Sequence, residues 1–339
     1  MLEFTPAFIS KGKRMFNKEC AVIGAGIMGL RTAVLIAQKG ASVKIFTAHD
    51  PLKTTSIAAG AIWMPYQVFP EVKALQWAKR SLMHYQELAQ NDETGVRFRN
   101  HTEFFDKEVA RPSWMNLVEP GDPYDCKAPS NAVCSHSAKI PVIDTYQCIL
   151  YHLRLLEQLK VEIVFRAIPT FQALSDFRCI INATGAGSGH LASDSKVYPI
   201  KGQTFVVSQP SVPITQSLFY QTEALKTLII PHAEKVVVGI TYDPHDTSLN
   251  YDTAKEKELL QSACSFYPAL SGSQILARRV GHRPGRDEVR LERETTSSGQ
   301  TIIHNYGHGG AGIALAPACA EESVQLFEDS CIESPGERR

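Results

Sequence analysis

Residues 19–46 read ECAVIGAGIMGLRTAVLIAQKGASVKIF, and this stretch decides the fold of the N-terminal part of the chain. An apolar strand at 19–23 leads into a glycine turn at 24–29, and apolar residues then recur at helical spacing up to Gly40. A second apolar strand follows at 42–46. About 30 residues in the order strand, glycine turn, helix and strand are typical of a parallel β-α-β unit that binds a dinucleotide at the helix N-terminus.

A second glycine-rich turn lies near the C-terminus. Residues 301–316 read TIIHNYGHGGAGIALA, with four glycines in six positions between an apolar strand and an apolar helical pattern. Because glycine leaves the backbone bare, a flat or anionic group can lie directly on the amides of this turn. The stretch Cys179 to Gly187 is a third strand followed by glycines. We interpret all three as parts of one nucleotide-binding sheet.

The remaining segments predict a second domain that is rich in strands. We predict an α/β fold in which a discontinuous Rossmann-like nucleotide-binding domain is joined to a β-rich α+β substrate domain. The predicted limits are 15–66, 141–200 and 280–330 for the first domain, 67–140 and 201–279 for the second, and 1–14 and 331–339 for terminal extensions. Further helices are predicted at 72–90, 143–159, 251–266 and 314–327. Between residues 91 and 140 only short strand-like runs are visible.

Composition excludes several classes of partner. The chain has 35 basic and 35 acidic side chains, so it has no net field to attract nucleic acid or an anionic membrane. We expect no membrane span, because no apolar run reaches about 18 residues. Residues 1–14 lack the apolar core of a secretory signal, and a cytoplasmic location is expected. Eight cysteines occur without a C-x-x-C pair or a four-ligand zinc spacing, and no metal is expected.

Arg283 is the candidate for binding a carboxylate. It lies between His282 and Pro284 in the segment that precedes the second glycine turn, and the proline keeps its backbone out of a helix. A planar guanidinium pairs with a carboxylate through two hydrogen bonds and stays charged when it loses water. A structural salt bridge is the alternative for Arg283, and it is the expected role of Arg286 and Arg290.

Taken together, these residues resemble the D-amino-acid oxidase family, which includes D-aspartate oxidase. The shared motifs occur in the family's order and cover roughly residues 19–327. They are Gly24-x-Gly26-x-x-Gly29, Ala58-Ala59-Gly60, Trp63-x-Pro65-Tyr66, Asn182-x-Thr184-Gly185, Gly202-Gln203, Ile230-Pro231, Gly281-x-Arg283-Pro284-x-Arg286, Arg290-Leu291-Glu292 and His304-Asn305-Tyr306-Gly307-His308-Gly309-Gly310.

The resemblance implies non-covalently bound FAD and the oxidative deamination of a D-amino acid. The α-hydrogen would pass as hydride to flavin N5, and dioxygen would reoxidise the flavin to give a 2-oxo acid, ammonia and hydrogen peroxide. The catalytic positions are Arg283 for the α-carboxylate, the Gly310 carbonyl for the amine, and Tyr66. The implied FAD-binding residues are Gly24, Ala25, Gly26, Ile27, Met28, Gly29, Thr47, Thr54, Thr55, Ser56, Ala59, Gly60, Gly185, Arg283, His308, Gly309, Gly310, Ala311, Gly312 and Ile313.

This sequence departs from the family pattern at the substrate end. Two tyrosines of the family are replaced by Ala224 and Leu228, and Tyr66, Tyr220 or Tyr242 is expected to reach the substrate instead. The departure keeps a second function open, in which FAD serves an oxidase or dehydrogenase of glycine, a secondary amine or a specialised amino acid. A third reading is a flavoprotein without catalysis or an NAD-binding module.

Two further expectations concern the ribose and the assembly. The acid that normally binds a ribose at the end of the second strand is missing, and Thr47 stands in its place. Asp50 and Thr54 are the alternatives for this contact. The sequence is compatible with a homodimer and does not decide the oligomeric state. The expected partners are an amino acid and dioxygen.

Overall fold

The computed structural model describes residues 19–124, 126–223 and 225–332. Within these residues the chain forms fourteen strands: β1 (Glu19–Ile23), β2 (Ser42–Thr47), β3 (Val96–Phe105), β4 (Cys134–Ile143), β5 (Glu162–Phe165), β6 (Cys179–Asn182), β7 (Tyr198–Ser208), β8 (Ser217–Gln221), β9 (Lys226–Pro231), β10 (Lys235–Gly239), β11 (Asp243–Pro244), β12 (Ile275–Gly285), β13 (Arg290–Thr295) and β14 (Thr301–Tyr306). The helices are α1 (Ile27–Gln38), α2 (Thr55–Ala58), α3 (Glu71–Leu88), α4 (Thr145–Gln158), α5 (Ser188–Leu191), α6 (Thr253–Phe266) and α7 (Gly312–Ile332).

A six-stranded sheet contains all three predicted glycine turns. Its order is β13-β14-β6-β1-β2-β5, and every pair is parallel except β13 with β14. Successive residues of β1 alternate between two cores: Val22 belongs to the core beneath α1, whereas Ala21 and Ile23 pack with Phe177 on the other face. Burial on both faces explains why these strands are continuously apolar.

The second sheet has eight strands and is mostly antiparallel. Its order is β11-β7-β10-β9-β8-β3-β4, with β12 also paired along β7. One face packs on α6, where Phe205 and Ile229 contact Phe266 and its neighbours. The predicted α/β fold, with a Rossmann-like part and a β-rich part, is confirmed.

Two details differ from the sequence prediction. Strands β3 and β4 are ten residues long where only short runs were visible, because polar residues interrupt the apolar pattern. Inside the sheet these residues bond to each other, as Thr102 Oγ1 does to Ser137 Oγ at 2.9 Å, or to β8, as His101 Nδ1 does to Ser217 Oγ at 2.7 Å. Helix α7 includes residues 331 and 332, which were assigned to an extension, while residues 1–14 and 333–339 lie outside the described residues.

The domain limits themselves stay a prediction. Strand β7 runs without a break across residue 200, and β12 runs across residue 280. Arg283 therefore extends from a strand that begins in the segment assigned to the substrate domain. Its position depends on the β7–β12 pairing, in which Gly281 lies opposite Gly202 and Arg283 opposite Ile200.

Helix α3 completes the hydrogen bonding of α7, the helix that follows the second glycine turn. Pro317 lies inside α7 and has no N–H, so the carbonyl of Ile313 loses its helical donor. The Tyr85 hydroxyl of α3 donates to that carbonyl at 2.5 Å, and Ser81 Oγ accepts from the amide of Ala318 at 3.1 Å. Burial raises the pKa of Tyr85, so the hydroxyl keeps its proton. The start of α7 is thereby held in place.

Replacing Tyr85 by phenylalanine removes this donor. We expect Tyr85→Phe to lower the free energy of unfolding by about 1–3 kcal/mol, because a buried carbonyl is left unsatisfied. Urea unfolding followed by tryptophan fluorescence measures the change. Tyr146→Phe, at an exposed position of α4, is the matched control and should shift the free energy by less than about 0.5 kcal/mol. Equal stabilities of the two variants would contradict this role of Tyr85.

Candidate active site

The N-terminus of α1 is packed directly onto the turns after β1 and β6. A Cβ atom at Gly24 would lie 2.4 Å from the carbonyl oxygen of Ala183, and one at Gly29 would lie 1.9 Å from the carbonyl oxygen of Gly24. Gly24 also has a φ of +108°, which favours glycine. Only glycine therefore allows this approach. The first turn of α1 carries no acidic residue, so its amides present an uncompensated positive end.

The short helix α2 connects α1 to the strand that carries Arg283. Ser56 Oγ accepts from the amide of Ile27 at 3.0 Å. Thr55 Oγ1 donates to the carbonyl of His282 at 3.3 Å, and Thr204 Oγ1 donates to the carbonyl of Ala58 at 3.1 Å. Predicted FAD-binding residues from distant parts of the sequence are thus joined by hydrogen bonds.

The side chains of the three candidates for the ribose contact form hydrogen bonds within their own loop. Thr47 Oγ1 donates to the carbonyl of His49 at 2.7 Å, and Thr54 Oγ1 donates to the carbonyl of Pro51 at 2.9 Å. Asp50 Oδ1 accepts from the amide of Leu52 at 2.8 Å. Each of these side chains orders the segment after β2. The ribose contact stays a prediction.

A cleft lies against the second glycine turn and the face of the eight-stranded sheet that is turned away from α6. It contains about 1110 Å³ of space between protein atoms, its open mouth included. Its lining residues are Ala58–Ile62, Met64, Tyr66–Phe69, Tyr198, Ile200, Thr204, Phe219, Lys226, Leu228, Ile240–Tyr242, Arg283, Gly285, Arg286, Gly307, Gly309, Gly310 and Ile313. The predicted catalytic residues Arg283, Gly310 and Tyr66 all belong to this set.

The other predicted FAD-binding residues lie around the cleft or at α1. Ala59, Gly60, Gly309 and Ile313 line the cleft. Ala25, Ile27 and Met28 are buried at the start of α1, and Ala311 is buried below the second glycine turn, just before Gly312 begins α7. Gly185 follows β6 with a φ of +58° and open space where a Cβ would stand.

Arg283 is a positively charged group that the protein holds through carbonyls. Its Nη1 donates to the carbonyl of Thr241 at 3.0 Å and approaches that of Lys201 at 3.5 Å. The guanidinium rests on Gly202, where a Cβ would lie 2.2–2.4 Å from its atoms. Burial lowers the pKa of Arg283 to about 10, so it is still protonated at neutral pH. Among the described residues, no carboxylate oxygen lies within 4.0 Å of this guanidinium.

The neighbouring arginines behave differently. Arg286 Nε pairs with Asp194 at 3.0 Å, and Arg290 pairs with Glu292 at 2.7 Å and with Glu294 at 3.0 Å. The expectation that these two arginines form structural ion pairs is confirmed. Asp194 was not foreseen, because it lies far from Arg286 in the sequence. Arg283 is thus distinguished from its neighbours by its lack of such a partner in the described part of the chain.

The two histidines of the second glycine turn lie outside the cleft lining. His304 packs behind the sheet, with Nε2 3.1 Å from Glu294 and Nδ1 3.4 Å from Asn182. His308 is buried, and its Nε2 has no hydrogen-bond partner among the described residues. Burial lowers the pKa of His308 to about 3, so this imidazole is neutral. A buried polar atom without a partner among the described residues therefore belongs to the residue just before Gly309 and Gly310.

Strand alternation decides which tyrosines reach the cleft. On β8, Phe219 lines the cleft, so Tyr220 points to the opposite face and stacks edge-on with Phe266 at 5.3 Å. Of the three alternatives Tyr66, Tyr220 and Tyr242, Tyr220 is therefore the one that lies away from the cleft. Tyr66 and Tyr242 line the cleft, as does Leu228. Ala224 lies outside the described residues.

Lys226 is a cleft residue that the sequence analysis missed. Its Nζ donates to the Tyr66 hydroxyl at 3.0 Å and lies 5.5 Å from the ring centres of Tyr66 and Tyr242. A signal was present, because residues two apart on a strand share a face and Leu228 had already been placed at the substrate. Lys226 therefore had to lie on the same face of β9.

The described residues contain neither a metal site nor a helix that could span a membrane. No group of three or more His, Cys, Asp or Glu side chains there could hold a metal ion. None of the helices described is both long enough and apolar enough to cross a bilayer.

The two bare stretches of backbone fit the diphosphate and the flavin ring of FAD. The first turn of α1 has no acidic residue, so its amides suit a diphosphate, with the amide of Ile27 bonded to Ser56 Oγ. A Cβ at Gly26 would lie 3.1 Å from Ser56 Oγ, so a side chain would crowd this position. At the other end, Gly309 and Gly310 present no side chain to the cleft, so a flat ring system can lie against them. The residues present therefore fit this cofactor.

Comparison with known proteins agrees with this geometry. A family model described as FAD dependent oxidoreductase matches residues 19–326. A D-amino-acid oxidase of Streptomyces coelicolor is 33% identical over 91% of this chain and 96% of its own length. One from Rubrobacter xylanophilus is 31% identical, over 90% and 94%.

Among solved structures, glycine oxidase from Geobacillus kaustophilus superimposes with a TM-score of 0.75 at 16% identity, over 94% of this chain and 97% of that one. This likeness concerns the fold. The family match over most of the chain, the two relatives at 31–33% identity and the fit of the two glycine turns lead to one conclusion. The chain belongs to the D-amino-acid oxidase family of FAD-dependent oxidoreductases, and its cofactor is FAD.

Proposed function

We propose that the protein catalyses the oxidative deamination of a D-amino acid. In this reaction the amino acid, dioxygen and water give a 2-oxo acid, ammonia and hydrogen peroxide. The observation that carries the proposal is Arg283, a protonated guanidinium that faces the cleft beside Gly310 and has no carboxylate partner among the described residues. The names of the relatives at 31–33% identity support the same substrate class.

Arg283 offers two donors in one plane to the α-carboxylate. Its Nη1 is used by the carbonyls of Thr241 and Lys201, whereas Nε and Nη2 have no acceptor among the described residues. These two N–H groups match the two oxygens of a carboxylate. Because Gly202 supports the guanidinium from behind, the side chain has little freedom to turn away.

Gly310 places an acceptor for the amine close to the carboxylate site. Its Cα faces the Arg283 side chain, since a Cβ at this position would lie 3.8 Å from Arg283 Cδ. The absence of a side chain at 309 and 310 leaves room for the substrate beside the backbone. A carbonyl here accepts a hydrogen bond from the amine. Two contacts then fix the amino acid, and the orientation of its Cα–H bond follows.

Hydride abstraction needs no acid–base side chain when the substrate is held in this way. FAD, when bound, supplies an acceptor for the α-hydrogen and its electron pair and passes the electrons to dioxygen. The protein's part is to orient the amino acid and to exclude water. Val68, Phe69, Leu228 and Ile313 provide an apolar lining for the second task. Water then hydrolyses the C=N bond of the released product.

A second candidate function keeps FAD and changes the amine. Leu228 stands in the cleft where the family carries a tyrosine, so the phenol that helps to hold the α-carboxylate is missing. This observation favours an oxidase or dehydrogenase of glycine or a secondary amine. The two candidates make different demands on the configuration at Cα and on the electron acceptor.

A substrate panel tests the proposal. Purified holoprotein is assayed for oxygen uptake and peroxide with the D- and L-forms of alanine, aspartate and asparagine, and with glycine and sarcosine. We expect D-forms to exceed L-forms by at least about 100-fold in kcat/KM, because a fixed carboxylate and amine direct only one Cα–H bond. Turnover of glycine or sarcosine alone would establish the second candidate, and equal turnover of the enantiomers would contradict the first.

Removing the guanidinium should weaken substrate binding and leave the cofactor bound. We expect Arg283→Met to raise KM for every α-amino acid at least about 30-fold, because a desolvated charge pair contributes about 2–5 kcal/mol. Steady-state kinetics and the flavin absorbance of the purified variant measure the two effects. Arg154→Met, at an exposed arginine of α4, is the control. An unchanged KM would remove Arg283 from the site.

A methyl group at Gly202 should displace the guanidinium without removing it. The added Cβ would overlap Nη1, Nη2 and Cζ of Arg283. We therefore expect Gly202→Ala to raise KM about 10-fold, less than Arg283→Met, with normal flavin content. Gly272→Ala is the control, because nothing lies within 4 Å of a Cβ there. If both glycine variants kept the wild-type KM, Arg283 would not depend on Gly202.

A further inference from the structure

Lys226 is the second cation in the cleft that has no carboxylate partner in the described part of the chain. On β9 the residues alternate, so Lys226 and Leu228 line the cleft while Thr227 faces α6 and bonds to Ser262 Oγ at 2.6 Å. The lysine is the first residue of its strand, and the following four residues are buried or line the cleft. Its ammonium is therefore directed into the cleft by the strand itself.

Two aromatic rings and one hydroxyl hold this ammonium. Nζ donates to the Tyr66 hydroxyl and lies 5.5 Å from the ring centres of Tyr66 and Tyr242. Tyr66 is in turn fixed edge-on against Phe219, with ring centres 6.1 Å apart. An ammonium has three N–H donors, and Tyr66 uses one. Two donors remain for a ligand.

Comparable lysines elsewhere in the fold are neutralised. Lys201 pairs with Asp246 at 3.0 Å, and Lys235 pairs with Asp144 at 2.7 Å. Lys226 has no carboxylate oxygen within 4.0 Å among the described residues. Of the three cations that line the cleft, Arg286 is paired with Asp194, so Arg283 and Lys226 are the two that remain unmatched.

Arg283 and Lys226 both lie next to the segment formed by Thr241 and Tyr242. Arg283 donates to the carbonyl of Thr241, and Lys226 lies over the ring of the next residue, Tyr242. An amino acid with a neutral side chain brings one carboxylate and satisfies only one of these charges. A dicarboxylic amino acid brings two. Because a partly buried charge is costly to leave unpaired, the second carboxylate would be favoured.

We infer that Lys226 binds the side-chain carboxylate of the substrate and that the preferred substrates are dicarboxylic D-amino acids such as D-aspartate or D-glutamate. This inference rests on the proposed function, since it assigns the other end of the same amino acid. It predicts the order D-aspartate above D-asparagine above D-lysine in kcat/KM, because an amide gains less from an ammonium and a second cation is repelled.

Charge at position 226 is tested with a neutral and a charged replacement. Lys226→Gln keeps an N–H donor for Tyr66 and removes the charge, whereas Lys226→Arg keeps the charge. We expect the ratio of kcat/KM for D-aspartate over D-asparagine to fall at least about 10-fold in Lys226→Gln and to recover most of its value in Lys226→Arg. Lys139→Gln, at an exposed lysine of β4, should keep the wild-type ratio.

Ligand binding gives a readout that needs no turnover. Succinate and butyrate have the same length and differ by one carboxylate, and both are titrated into holoprotein while the flavin absorbance is followed. We expect succinate to bind wild-type protein at least about 10-fold more tightly than butyrate and to lose this advantage in Lys226→Gln.

The outcomes separate this inference from the proposed function. Turnover of D-alanine together with equal kcat/KM for D-aspartate and D-asparagine would overturn the role of Lys226 and leave the oxidase proposal standing. An unchanged ratio in Lys226→Gln, or equal affinities of wild-type protein for succinate and butyrate, would do the same. Failure to oxidise any D-amino acid in the panel would refute the proposed function, and the preference for dicarboxylic D-amino acids with it.

Discussion

The site depends on a positive charge that the protein holds in position and does not neutralise. Arg283 is anchored through one nitrogen by two backbone carbonyls and supported by the bare Cα of Gly202. Its remaining two nitrogens have no acceptor within the described residues. Nε and Nη2 of this buried guanidinium gain their hydrogen bonds only when a carboxylate binds. We propose that this requirement is the basis of substrate recognition. The β7–β12 pairing creates it by setting Gly202 opposite Gly281.

The proposed acceptor for the amine, the Gly310 carbonyl, is positioned by a different part of the molecule. Gly310 lies in the turn between β14 and α7, and that helix would be weakened at Pro317 without the hydrogen bonds that α3 makes through the Tyr85 donor and the Ser81 acceptor. The two proposed substrate contacts, Arg283 after the β7–β12 ladder and the Gly310 carbonyl after β14, thus come from the two sheets. Their distance from each other depends on how α3, α7 and the β7–β12 ladder fit together. This explains why the residues of one small cleft are spread over most of the sequence.

Local signals allowed much of this to be predicted from the sequence. Glycine turns between an apolar strand and an apolar helix identified the α/β sheet, and the flanking residues of Arg283 marked it as the candidate for binding a carboxylate. The predictions that failed concern pairing in space. Strands β3 and β4 hide their polar residues in contacts such as His101 with Ser217, and Asp194 meets Arg286 only after folding.

The side of a strand on which a residue lies was the other weak point. Tyr220 was one of three candidates to reach the substrate, but it faces α6 because Phe219 occupies the cleft side of β8. Lys226 was overlooked, although the position of Leu228 determines its face. Neither position can be assigned to a face from one residue alone. Side chains alternate along a strand with a period of two, so one assigned residue fixes the faces of the others. The resemblance to a family gave no help here, because its motifs do not include Lys226.

A crystal structure of the FAD-bound protein with a carboxylate ligand tests the account most directly. The account predicts that the two oxygens of one carboxylate lie about 3 Å from Nε and Nη2 of Arg283, with Nη1 still bonded to the Thr241 carbonyl. A carboxylate bound elsewhere in the cleft, with the guanidinium turned away from it, would contradict the account.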